Sequence, residues 1–378
     1  MAKVPLRTAL GMMVCLAPWT GLARAQPTTI SDPMISVTSA NEDTETQSML
    51  ATLSQLGPQL ANARDPATII SLNLQEAQIL YQLKGRTTGT EQATWIRQLA
   101  DCLNVAAVSS SRDDRRAISW LTQLKEEVAQ TQPGSPLVPY ITFREMQAVY
   151  SAQLNQGSDN ANSNAVQENW RNQLTHFVQE FPTAEDTPNA LMELATTCEF
   201  LNLEPEAKIW YQQLVENFPN NPLANKARGI LRRLGLEGQV FAMALPLLNG
   251  ESDRYDEPFD IDQFKGQVVM VYFWTSNDPQ CARDFDQLRQ VLQRHGSQGL
   301  GLLCVNVDPT KEGAREFLHG LHAPGIHVYQ RGGLDGKVTT RYGVTAVPSM
   351  VLVGKEGTVV KRSVEMVNLE EEVAKQLK

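Results

Sequence analysis

Apolar positions along this chain follow two different periods, and the change from one to the other divides it. From about Met49 to Leu236 the spacing is helical. Trp95, Ile96, Leu99, Cys102, Leu103 and Ala106 fall on one face, and Leu191, Leu194, Cys198 and Leu201 on another. Beyond Leu236-Glu237-Gly238, where glycine supplies a stop signal, short continuous apolar runs take over. Residues 268–274, VVMVYFW, predict a buried strand, as do residues 300–308 and 326–329. Residues 350–353 and 358–360 flank Gly354-Lys355-Glu356-Gly357 and predict a hairpin. Helices are expected from Pro279, with Phe285, Leu288, Val291 and Leu292 inward, and over residues 311–321. A last helix is expected from Asn368, with Glu371 placed for a capping box and Leu369, Val373 and Leu377 inward. Upstream of the central strand, residues 240–246 and the turn signal Asn249-Gly250 predict a hairpin, and Phe259, Ile261 and Phe264 lead on from it. The continuous rather than alternating runs indicate a sheet covered on both faces.

The helical part contains a repeat. Phe177-Val178-Gln179-Glu180-Phe181-Pro182 is echoed by Leu214-Val215-Glu216-Asn217-Phe218-Pro219, with the prolines 37 positions apart. Each is followed by an apolar helix, carrying Ala190, Leu191, Leu194 and Ala195 in one copy and Ala224, Ala227, Ile230 and Leu231 in the other. A degenerate earlier copy runs from Trp120 through Leu124 to Pro133, with the tract 157–164 inserted after it. The spacing is near the tetratricopeptide period of about 34 residues. One helix pair cannot bury its own apolar face, so neighbours stack. A plain helical bundle remains the alternative.

The start of the chain changes the picture of where it works. Lys3 and Arg7 precede a short apolar stretch, and Ala23-Arg24-Ala25 fits a cleavage site. Residues 1–25 are therefore expected to be a secretory signal, with Gln26 as the mature terminus. Residues 26–48 are polar and read as a flexible leader. The expected organisation is signal 1–25, leader 26–48, helical domain 49–236 and α/β domain 237–378, exported to the periplasm or envelope of a bacterium.

Removing Lys3, Arg7 and Arg24 leaves 30 basic against 42 acidic residues, a net charge of −12. That balance argues against nucleic acid and anionic lipid as partners. Of the cysteines left, Cys102, Cys198 and Cys304 lie among apolar residues at the local period and read as small core groups. No cysteine pair, and none of His176, His295, His319, His322 and His327, falls into metal-ligand spacing, so no metal is expected.

Chemistry concentrates where the central strand meets the helix beginning at Pro279: Trp274-Thr275-Ser276-Asn277-Asp278-Pro279-Gln280-Cys281. With Lys265-Gly266-Gln267 before it, this stretch resembles the TlpA/ResA branch of the thioredoxin superfamily, whose pattern is roughly KGK-VV-VNFWATWCPPC. Cys281 falls on the second cysteine of that CxxC motif, Asp278 on the first, and Asn277 on the preceding tryptophan. Tyr342-Gly343-Val344-Thr345-Ala346-Val347-Pro348 resembles the YGV-x-x-VP segment that carries the family's cis-proline.

The resemblance implies a thioredoxin-like fold, a site at Trp274, Asn277, Asp278, Pro279, Gln280 and Cys281, no cofactor, and a loop at Val347-Pro348 that presents backbone to extended partners. Dithiol exchange needs one thiolate to attack and a second thiol to resolve. A carboxylate at position 278 does not attack a disulfide; Asp suits an N-cap and Pro the first helical position. Its charge is also expected to oppose a Cys281 thiolate. Two functional readings stay open beside a purely structural role. One is a protein-binding or assembly factor whose dithiol site has lost its nucleophile. The other is a thiol-disulfide oxidoreductase or peroxiredoxin-like enzyme acting through Cys281 alone, whose DPQC spacing matches the peroxidatic TxxC.

Overall fold

The computed structural model describes residues 40–111, 113–154, 160–249 and 258–378. The expected signal, the cleavage at Gln26, most of the expected leader, Gly250 of the expected turn and part of the tract 157–164 lie outside the described residues. The chain divides into two units, Met1–Ala51 and Thr52–Lys378.

In the first unit the described residues are helical and open α1 (Ala40–Asn62). Helix therefore begins before the expected end of the leader at residue 48. Glu45 and Gln47 are polar but good helix formers, so a lack of apolar groups there did not mean a lack of structure.

The second unit continues with α2 (Pro66–Arg86), α3 (Gly89–Ser109), α4 (Arg116–Thr131), α5 (Leu137–Leu154), α6 (Asn160–Glu180), α7 (Thr187–Phe200), α8 (Glu204–Asn217) and α9 (Pro222–Leu234). Starts are set by local chemistry. The Asp65 carboxylate accepts the Thr68 N–H ahead of Pro66, and Asn221 Oδ1 accepts the Leu223 N–H ahead of Pro222.

Two apolar cores form in this region. Leu80, Leu99, Leu103, Leu121 and Ile141 join α2 to α5. Phe143, Phe177, Leu194, Tyr211, Leu214 and Ile230 join α5 to α9. Each sequence repeat corresponds to a helix ending near its Phe-Pro pair and the helix that follows: α6 with α7, and α8 with α9. Cys102 and Cys198 are buried among these residues.

The α/β part starts with a short antiparallel pair, β1 (Ala244–Leu245) and β2 (Phe259–Asp260). A five-stranded sheet follows in the order β5-β4-β3-β6-β7. Strands β3 (Val268–Trp274), β4 (Leu300–Asn306) and β5 (Ile326–Tyr329) are parallel; β6 (Ser349–Val353) runs against them, and β7 (Val359–Lys361), antiparallel to β6, returns to their direction. The crossovers and flanks carry α10 (Pro279–His295), α11 (Lys311–Leu318), α12 (Lys337–Tyr342) and α13 (Leu369–Leu377).

Alternate residues of β3 serve opposite layers, as the strand period requires. Val269, Val271 and Phe273 join Phe241, Val305, Tyr342 and Val351 on one face. Met270, Tyr272 and Trp274 join Cys281, Phe285, Leu288, Cys304 and Val373 on the other. Every residue of β3 and β4 is buried, which is why both read as unbroken apolar runs.

The expected capping box at α13 does not form. A 3-10 turn over Met366–Asn368 runs straight into the helix, so Asn368 has helical backbone angles and makes no side-chain cap; Glu371 pairs with Lys375 instead at 2.9 Å.

Candidate functional site

The candidate residues gather at one end of the sheet. Trp274 ends β3, and the loop 275–278 carries the chain into α10. Ser349, beside Pro348, pairs with Phe273, beside Trp274, so the proline loop and the loop 275–278 share this end. The Val347–Pro348 peptide bond is cis.

The loop is held by a residue that sequence reasoning missed. Asp308, just past β4, accepts the Ser276 N–H at 2.9 Å and the Asn306 side-chain amide at 3.1 Å, and also the Thr275 hydroxyl. It is 2 % exposed, and its burial with this many donors marks it as the loop's anchor. An acid directly after an apolar strand was the available signal.

Asp278 has extended backbone angles, and its Oδ1 accepts the Gln280 N–H at 2.8 Å; its carbonyl accepts the Cys281 N–H at 3.0 Å. The geometry is that of an N-cap followed by Pro279 at the first helical position, an arrangement that contributes about 1 kcal/mol. Asn277 and Pro279 are exposed, Gln280 half-buried.

Cys281 faces inward with no exposed surface. Beside it lies a second cluster that the sequence reading missed. The Tyr272 hydroxyl donates to Asp284 Oδ2 at 2.8 Å, and the Gln280 amide donates to Asp284 Oδ1 at 2.6 Å. Gln280 Oε1 in turn accepts from Arg283 at 2.6 Å. Asp284 is 3 % exposed, a charge set on the apolar stripe of α10 between Cys281 and Leu288.

Burial is the main force on the Cys281 thiol and pushes its pKa above the ordinary value. The Thr275 backbone and the Tyr272 hydroxyl act the other way, and the charges of Asp278 and Asp284 add smaller upward pushes. The Asp278 charge thus acts in the expected direction, but as a lesser cause. In the folded protein, alkylation of Cys281 is expected to be at least a hundredfold slower than in urea, and to rise with pH only above about 8.5, the free-cysteine value. Mass spectrometry of the Cys281 peptide after pulsed labelling measures both.

Trp274 is the aromatic floor of this end. Its ring lies 5.2 Å from Phe285, 5.7 Å from Phe317 and 5.6 Å from His327, centroid to centroid. Burial pushes the pKa of His327 down to about 4, so the imidazole is neutral at pH 7. Cys304 is buried in β4, and His319 and His322 are exposed at the end of α11 and in the loop after it. No helix among the described residues is long and apolar enough to cross a membrane.

Known proteins resemble the α/β part of this chain. A family model described as thioredoxin-like matches residues 266–359. The thiol-disulfide oxidoreductase ResA of Bacillus subtilis is 27% identical over 111 residues, which is 29% of this chain and 59% of that protein. ResA of Halalkalibacterium halodurans is 24% identical over 111 residues, 29% of this chain and 60% of that protein. The match thus spans under two thirds of the length of these curated relatives.

Among solved structures, the thioredoxin domain of a thiol-disulfide oxidoreductase from Bacteroides vulgatus shows 21% identity and a TM-score of 0.34, covering 38% of this chain and 98% of that one. A thioredoxin-like protein from the same organism shows 22% identity and a TM-score of 0.32, covering 36% and 86%. With the family model and the mixed sheet in agreement, residues 266–359 form a thioredoxin-like domain, preceded in the chain by a helix-rich region.

Proposed function

We propose that this protein is an exported binding or assembly factor of the bacterial envelope, built on a TlpA/ResA-like domain whose dithiol site has lost its attacking cysteine. The observation that carries the reading is the start of α10. A carboxylate caps the helix where an attacking thiolate would draw on the free N–H groups and the dipole, and the one nearby thiol, Cys281, is fully buried. A thiolate that is neither exposed nor favoured is a poor partner for exchange.

The proline loop supports a binding use. Thr345, Ala346 and Val347 donate no backbone hydrogen bond to another described residue, while Thr345 is exposed and Ala346 to Ser349 are half-buried. Backbone groups left unpaired in a partly buried loop suit an extended polypeptide that supplies the missing partners. The paired helices α6 to α9 fit a tetratricopeptide-like scaffold, a second surface for protein partners. The N-terminal 25 residues, read as a cleaved signal, support export.

Catalytic assays test the proposal. Reduction of a model disulfide and of hydrogen peroxide is expected to be absent in the wild type and unchanged by Cys281→Ser. Asp278→Cys is expected to create a reducible pair with Cys281, visible as a two-thiol difference in labelling with and without reductant. Turnover that disappears with Cys281→Ser would replace this reading with a single-cysteine enzyme.

A further inference from the structure

We infer that helix α9 is a brace for the proline loop: the helix-rich region fixes where the segment Thr339 to Pro348 stands, through a contact made backbone to backbone. Two glycines permit it. A Cβ on Gly229 of α9 would stand 1.7 Å from the Thr340 carbonyl oxygen and 2.9 Å from its carbon. A Cβ on Gly343, which ends α12 at φ +62°, would stand 2.5 Å from the Gly229 carbonyl oxygen and 2.8 Å from Ile230 Cα. No side chain lies between to give way, so any residue but glycine must move one element off the other.

Charged contacts frame the glycine pair. Lys226 of α9 lies 2.7 Å from Asp335, just before α12. Arg362, just past β7, forks onto the Glu204 carboxylate at the start of α8 and donates to the Leu234 carbonyl at the end of α9 at 2.7 Å. From the other side, the Tyr342 hydroxyl donates to the Ala242 carbonyl at 2.6 Å and accepts the Ala242 N–H at 3.1 Å, with its ring stacked on Phe241 at 4.3 Å. Helix α12 is therefore gripped at its middle and at its end. The Val344 N–H, bonded to the Thr339 carbonyl at 2.9 Å, carries that position into the loop. A short helix of six residues has little stability of its own, so its place is set by what it packs against.

The brace does not depend on what the loop binds, and its test needs no partner. Hydrogen exchange is followed on the full chain for Gly229→Val and, as a milder change, for Lys226→Met with Arg362→Met. In Gly229→Val the amides of α12 and Val344 are expected to exchange more than tenfold faster, while those of Val271 and Leu303 in the sheet stay within twofold of wild type. The double charge variant is expected to show a smaller acceleration confined to the same segment, and it decides the matter alone if Gly229→Val does not fold. Unchanged protection at Val344 in the variants that fold would overturn the inference. So would an equal acceleration across the whole sheet, which would mark general destabilisation.

Discussion

Replacing Arg144 with methionine is expected to destabilise the helix-rich region by about 3–5 kcal/mol, the cost of breaking a buried ion pair from one side. Arg144 projects from α5 with 8 % of its side chain exposed. Its Nε donates to Asp101 of α3 at 3.0 Å, and its Nη1 lies 2.7 Å from the carboxylate of Asp186, ahead of α7. The guanidinium also covers the Tyr140 ring at 3.9 Å, and the Tyr140 hydroxyl donates to Asp101 at 2.8 Å. One side chain thus joins three helices. Asp186 is as buried as its partner, and burial raises its pKa while Arg144 pulls it back. Its Oδ2 is close to Arg144 but in no well-directed hydrogen bond, so the compensation is mainly coulombic.

Without Arg144 that carboxylate is left in an apolar site, whereas Asp101, 36 % exposed, stays hydrated. Adding Asp186→Leu to Arg144→Met is therefore expected to recover most of the loss. Asp186 makes no side-chain cap to α7, so its removal forfeits little else. Urea unfolding followed by far-ultraviolet circular dichroism measures both, read as a midpoint shift at constant slope. A loss below about 1 kcal/mol in the single variant, or a double variant worse than the single, would refute this account.

The Arg144 cluster also marks how far the chain could be read unaided. Strands β3 and β4 were legible because burial on both faces left unbroken apolar runs. The Asp278 cap was legible because Asp-Pro at a strand-to-helix turn has a local meaning. What escaped was made by residues far apart in sequence. Arg144 meets Asp101 and Asp186 across three helices, Asp308 closes on Ser276 from the next strand, and Tyr272 meets Asp284 from strand to helix. None of these acids belongs to a local motif that names its partner. Two of them carried a visible warning: Asp308 follows directly on an apolar strand, and Asp284 lies on the apolar stripe of α10. The capping box at α13 failed for the opposite reason: its local motif was present, but the preceding 3-10 turn took the backbone angles it needed. Nor does periodicity reveal strand order, so the gathering of both candidate loops at one sheet end depended on the register of β3 with β6.

Two part-buried groups are expected to hide one another's pH dependence. Burial raises the Glu193 carboxyl from 4.5 to about 7, against a hydrogen bond from Gln147, and nearby Asp186 adds to the rise. Its protonated form is favoured by folding, so its contribution is complete below pH 4.5 and is lost as pH rises through 7. Burial lowers His327 from 6.5 to about 4, so its contribution is complete above pH 6.5 and is lost as pH falls through 4. At 1.36 kcal/mol per pH unit, each is worth up to about 3 kcal/mol, with opposite sign over nearly the same window. Wild-type stability is therefore expected to change little from these groups between pH 4.5 and 6.5. Glu193→Gln should expose the histidine, giving a protein that weakens steadily on acidification across that window. His327→Phe, which keeps a ring against Trp274 and Phe285, should expose the carboxyl, giving one that weakens as pH rises toward 7. Urea midpoints at half-unit pH steps read the two slopes. Because Arg144 helps hold the Glu193 carboxylate, Arg144→Met should move the Glu193 inflection to still higher pH. Parallel profiles in all variants would show that neither group is linked to folding.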